Sequence, residues 1–225
     1  AGSDSAGNSV TGIIKITVED RIKPSLALPG SMTVAATGPD GASAQFQVSA
    51  SDAVAGTLTP TCSAMSGGTF GLGVTKVSCS ASDDFGNKES GSFSITVVDR
   101  GAPSISVPGD ITREADSAGG AVVEFGVSAS DIVDPAPTYS CSTRSGAQFA
   151  IGTSRVTCTA MDAAGLSTTR SFTVRVTDNT APRIGNPGNM TREATGRAGT
   201  SVSFSVTGQD AVDGAIPAAC SPTSG

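Results

Sequence analysis

The chain has 225 residues, 37% hydrophobic and 15% charged, with a formal net charge of −6 and no histidine or tryptophan. The acidic balance is spread along the chain, which disfavours anionic lipid and excludes a nucleic-acid surface, since that needs clustered Lys and Arg. Without histidine the commonest general base is missing, as are Ser/His and Cys/His nucleophile systems. No catalytic residue is assigned and no enzyme is expected; no apolar run approaches the ~20 residues of a membrane helix.

Residues 1–20 open with Asp4 and then alternate Ile14, Ile16 and Val18 with polar neighbours, the pattern of a half-buried strand. The same features return every 79 residues. Asp4, Asp83 and Asp162 share this step, as do Asp20, Asp99 and Asp178, and Asp52, Asp131 and Asp210. Pro24, Pro103 and Pro182 keep it, and so do Phe46, Phe125 and Phe204. A fixed period without insertions marks an array of small folded bodies. The expected organisation is the end of a preceding repeat at 1–20, complete repeats at 21–99 and 100–178, and the start of a further repeat at 179–225.

Within repeat 21–99, strands are expected around Phe46 and Val48, around the cysteines, and over Ser92–Asp99, where Phe93, Ile95 and Val97 alternate with polar residues. Repeat 100–178 copies this with Phe125 and Val127, then Phe172, Val174 and Val176. No segment holds a 3.6-residue period. Several short antiparallel strands separated by Gly, Asp, Ser and Pro predict an all-β fold of tandem immunoglobulin-like sandwiches. The buried Trp and repeated tyrosine corner of antibody domains are absent.

Bodies of about 80 residues with 4% aromatic content sit near the lower size limit for folding unaided. Cys62 and Cys79 are 17 apart, as are Cys141 and Cys158, so each repeat is expected to close its own disulfide. Cys220 would then find its partner outside the chain, at position 237. A zinc site is the weaker reading, with no histidine and no Cys-x-x-Cys. The 17-residue spacing suits a link between two strands of one sheet, and disulfides point to an oxidising, extracellular setting.

The stretch Cys62-Ser63-Ala64-Met65-Ser66-Gly67-Gly68-Thr69-Phe70-Gly71-Leu72-Gly73, followed by Val77-Ser78-Cys79 and Asp83-Asp84-Phe85-Gly86-Asn87, resembles the hyalin repeat (HYR) family. The second copy is closer still, through Phe149-Ala150-Ile151-Gly152-Thr153, Val156-Thr157-Cys158 and Asp162-Ala163-Ala164-Gly165. Leu166 replaces the Asn of the Gly-Asn turn, and Ala55 replaces the acid found at Asp134 and Asp213. The resemblance implies immunoglobulin-like extracellular modules associated with adhesion.

In such a sandwich Asp20, Asp52 and Asp83 converge at one pole, Asp99, Asp131 and Asp162 at the next, and Asp178 and Asp210 begin a third set. Two readings stay open. Asp in Asp-x-x-Gly forms turns through its own side chain. Alternatively, no cofactor being required, the carboxylates hold calcium at the repeat junctions, which wants 6–8 oxygen ligands. Asn189-Met190-Thr191 is a glycosylation sequon carried by one repeat alone, so chance explains it well.

The expected function is a structural or adhesive segment of an extracellular rod or surface filament. The alternative is a module that recognises a protein or glycan through loops at one pole. Partners would be neighbouring repeats or subunits end to end, with cell-surface or matrix proteins or glycans, and no membrane insertion. Either the chain is a window of a longer polypeptide, or copies add Ile14, Ile16 and Val18 as a strand to one another.

Overall fold

A computed structural model describes residues 1–221, and the chain divides into two compact units, Ala1–Asp99 and Arg100–Gly225. Among the described residues the regular elements are all strands.

The first unit begins with a hairpin of β1 (Gly2–Ser3) and β2 (Ser9–Val10). It continues through β3 (Ser25–Ala27), β4 (Met32–Ala35), β5 (Ala42–Ser43), β6 (Ser49–Asp52), β7 (Gly56–Leu58), β8 (Thr61–Cys62), β9 (Thr69–Phe70), β10 (Gly73–Ser82) and β11 (Lys88–Val98). A four-stranded sheet runs β4-β11-β10-β8, a three-stranded sheet runs β3-β6-β7, and β5 pairs with β9. The inner face of the larger sheet carries Val77 and Cys79 of β10 and Phe93, Ile95 and Val97 of β11, all buried against Ala42, Ala44 and Phe70. Period-two alternation makes this possible, because every second side chain points inward while its polar neighbours stay wet.

The second unit repeats the plan with β12 (Ser104–Ser106), β13 (Ile111–Glu114), β14 (Ala121–Val123), β15 (Ser128–Ser130), β16 (Thr138–Cys141), β17 (Ala147–Phe149), β18 (Gly152–Met161) and β19 (Ser167–Thr177). Its main sheet runs β13-β19-β18-β16, with β12 on β15 and β14 on β17. Val156, Cys158, Phe172, Val174 and Val176 form its buried face with Val123 and Phe149. Beyond it, β20 (Arg183–Gly185), β21 (Thr207–Asp210) and β22 (Gly214–Pro217) make a three-stranded sheet. The all-β expectation of tandem sandwiches holds.

Three details differ from the sequence reading. The strands are not all antiparallel: β4 lies parallel to β11, and β13 parallel to β19. Pro29-Gly30 and Pro108-Gly109 interrupt the opening strand, so its first half joins one sheet and its second half crosses to the other. Residues around Phe46 and Phe125 form no ladder. Their backbone N–H groups donate instead to the Ser66 and Ser145 hydroxyls, and the rings stand edge-on to Phe93 and Phe172 at 4.9 Å. Residues 11–20 lie outside any strand, and Ile14, Ile16 and Val18 are exposed.

Candidate metal centre and the disulfide clamps

Cys62 and Cys79 are bonded, and so are Cys141 and Cys158. Each pair faces across an antiparallel ladder, β8 against β10 and β16 against β18, so each bridge ties an edge strand to the centre of its sheet. Cys79 and Cys158 are buried in the core. Cys220 is half-buried and carries no bridge.

Asp52 ends β6, where its Oδ1 accepts the N–H groups of Val54 and Ala55 at 2.8 and 3.0 Å and so turns the chain into β7. Asp83 follows β10. Its Oδ1 accepts from the N–H groups of Phe85 and Asn87, and its Oδ2 accepts from the Asn87 side-chain amide at 2.8 Å. The same amide reaches the Asp20 carbonyl oxygen at 3.2 Å, fastening the segment before β3 to the turn between β10 and β11. Asp20 Oδ1 accepts the Ile22 N–H.

These three aspartates each offer a carboxylate oxygen within 4.8 Å of the others. Two of the oxygens, Asp20 Oδ2 and Asp52 Oδ2, are buried with no hydrogen-bond donor. A buried acceptor without a partner is costly, and clustered like charges add to that cost. Turn formation therefore accounts for one oxygen of Asp20 and of Asp52 and leaves the other turned into a shared, donor-poor point. Such a donor set, all oxygen and all anionic, fits a hard cation.

Burial raises the Asp83 carboxyl, but the Asn87 side-chain amide and the N–H groups of Asn87, Phe85 and Gly86 together outweigh it and hold the group below its ordinary range. In the hairpin at the start of the chain, Asp4 repeats the arrangement, lowered chiefly by the Asn8 side-chain amide.

In the second unit Asp131 Oδ1 accepts from Val133 and Asp134, and Asp162 Oδ1 accepts from Leu166. Asp162 Oδ2 is again buried without a donor. Asp134 Oδ2 takes the Ala163 N–H at 2.9 Å, joining the two acidic turns, a link that Ala55 cannot make in the first unit. Asp99 closes the first unit, and Asp131 and Asp162 belong to the second. A second carboxylate cluster joins Asp178 and Asp210 to Asp213, which sequence reasoning left out of the candidate ligands. The acidic turn Asp210-Ala211-Val212-Asp213-Gly214 was the signal that could have found it.

Residues 98–176 match the family model described as HYR domain. The match spans 79 of the 225 residues. No curated protein matches the chain. Among solved structures it is similar to protocadherin gammaB7 EC3-6 (18% identity, 86% of this chain and 62% of that one, TM-score 0.37). It is also similar to mouse cadherin-23 EC22-24 (14%, 83% and 78%, 0.38) and to fibronectin(III)-like modules of Clostridium thermocellum CbhA (10%, 68% and 95%, 0.30). The chain spans 62% and 55% of the length of the protocadherin gammaB7 and gamma B2 chains it matches. No helix of the described residues is long and apolar enough to cross a membrane.

Proposed function

We infer that the chain is a structural or adhesive segment of an extracellular rod or surface filament. In this reading residues 21–99 form a second HYR-like repeat beside the matched one, between part-repeats at 1–20 and 179–225. One observation carries it. The two main sheets share strand order and register at an offset of 79, from Ile95↔Met32 and Val174↔Ile111 to the cysteines opposite one another. Interchangeable bodies of this kind suit load and spacing, whereas a recognition module needs loops that differ between copies. Electron microscopy of the native assembly checks the reading: thin filaments or rods are expected, and compact particles would remove it.

The same reading gives Asp20, Asp52 and Asp83 a calcium ion. When bound, calcium supplies the positive charge that offsets the carboxylates. Asp52 and Asp83 hold their turns through Oδ1 while Asp20 brings in the connecting segment. Thermal unfolding with calcium and with a chelator tests it. Calcium is expected to raise the midpoint of the parent chain and to leave Asp52→Asn unmoved; no shift in the parent sinks the metal.

A further inference from the structure

Asn189-Met190-Thr191 is the single Asn-x-Ser/Thr sequon of the chain, the other asparagines being Asn8, Asn87, Asn179 and Asn186. The 79-residue register aligns it with Asp110-Ile111-Thr112 and with Ser31-Met32-Thr33. Thr stands third in all three, so the residue at the Asn position alone makes the sequon. The two counterparts run into β13 and β4, which are edge strands of their main sheets.

The counterparts show where the three side chains point. Ile111 and Met32 are half-buried and pack against the cores, while Asp110 and Thr112, and Ser31 and Thr33, are exposed. Alternation along a strand puts residues i and i+2 on one face, here the wet one. The Asp110 carboxylate accepts the Thr173 N–H at 2.7 Å, and the Ser31 hydroxyl accepts that of Ser94 at 3.1 Å. This place therefore asks for a side-chain acceptor and leaves the rest of the group in water. Asn meets that demand through Oδ1 and has Nδ2 to spare. The sequon itself is openly presented. Asn186 Oδ1 accepts the Gly188 N–H at 2.9 Å, Gly188 takes φ +82°, and Asn189 and Thr191 follow that bend, exposed and outside any strand.

We propose that Asn189 carries an N-linked glycan. The donor class is a lipid diphosphate-linked oligosaccharide with an N-acetylhexosamine at its reducing end. Nδ2 bonds to the anomeric carbon of that sugar, and the bond from this carbon to the diphosphate oxygen breaks. The diphosphate leaves with the electron pair, and one Nδ2 proton passes to a base. Thr191, on the same face, supplies the hydroxyl that completes the acceptor sequence. The amide carbonyl survives, so Oδ1 still accepts a hydrogen bond. The sugar stands off the outer face of the strand, where a bulky hydrophilic group meets no core.

The proposal rests on the array reading for the extracellular setting and for the correspondence of positions. Peptide mass spectrometry of the native protein tests it. Trypsin cutting after Arg183 and Arg192 releases residues 184–192, and this peptide is expected to carry the mass of a glycan. Peptide N-glycosidase should remove that mass and convert Asn189 to Asp. In the chain secreted from a eukaryotic host, Asn189→Gln and Thr191→Ala should each abolish the gain on this peptide, and Thr191→Ser should keep it. The clamped sandwiches should melt alike in all of them, since neither residue lies in a core. A bare 184–192 peptide in the native protein, or a gain on it that survives Asn189→Gln, overturns the assignment. A bare peptide from thin rods sinks the glycan alone, whereas a glycosylated peptide from compact particles sinks the array and leaves the glycan standing.

Discussion

Asp83 holds the turn between β10 and β11 with both oxygens of its carboxyl group. Its depressed pKa means that the folded chain holds the ionised form more strongly than the unfolded chain does. Stability from this group is therefore complete above the ordinary value of 3.8 and is lost as pH falls below it through the folded pKa. Acid unfolding of Asp83→Asn should consequently show a weaker pH dependence below pH 3.8 than the parent, read by circular dichroism. Gly120 is a second sensitive position. It sits at φ +100°, and a Cβ there would overlap the Phe149 carbonyl oxygen; Gly41 and Phe70 repeat the arrangement. Gly120→Ala should destabilise the second unit by about 1–3 kcal/mol in denaturant titrations, from the left-handed backbone alone and more from the overlap.

Among elements, the long hairpins β10–β11 and β18–β19 form the framework on which the rest is hung. The disulfide fixes the short edge strand to that hairpin. Replacing Cys141 and Cys158 together with Ala should lower stability by about 3 kcal/mol, measured by denaturant unfolding, as expected for opening a loop of this size. These hairpins were legible in the chain because Phe93, Ile95 and Val97, and likewise Phe172, Val174 and Val176, alternate without interruption, each set facing the core of its own unit. The stretch at Phe46 was misleading for a physical reason: its alternation reflects side-chain packing, while its N–H is satisfied by the Ser66 hydroxyl. The parallel course of β4 was hidden too, since nothing in Met32–Ala35 records which sheet it will join after Pro29-Gly30. At the acidic pole, Asp20, Asp52 and Asp83 were readable from their period, whereas Asp213 depended on a turn whose partners only three dimensions reveal.

For the whole molecule, the repeat implies independent bodies that yield one at a time. Stretching a single chain should give two equivalent unfolding events. In each, the bridge keeps the residues between its cysteines, 17 apart, from extending. Reductant should lengthen every event by about 60 Å at the reach of an extended chain; equal lengths with and without reductant would contradict the clamped design. The parallel pairing of β4 with β11 and of β13 with β19 sets how those events begin. Tension entering at the front of a sandwich and leaving at its back pulls these two neighbours past each other along their length. Their hydrogen bonds are loaded in shear, all at once, and do not unzip in sequence. The sulfur bridge lies off that line, so it resists only after the first slip, as a safety catch behind a bolt.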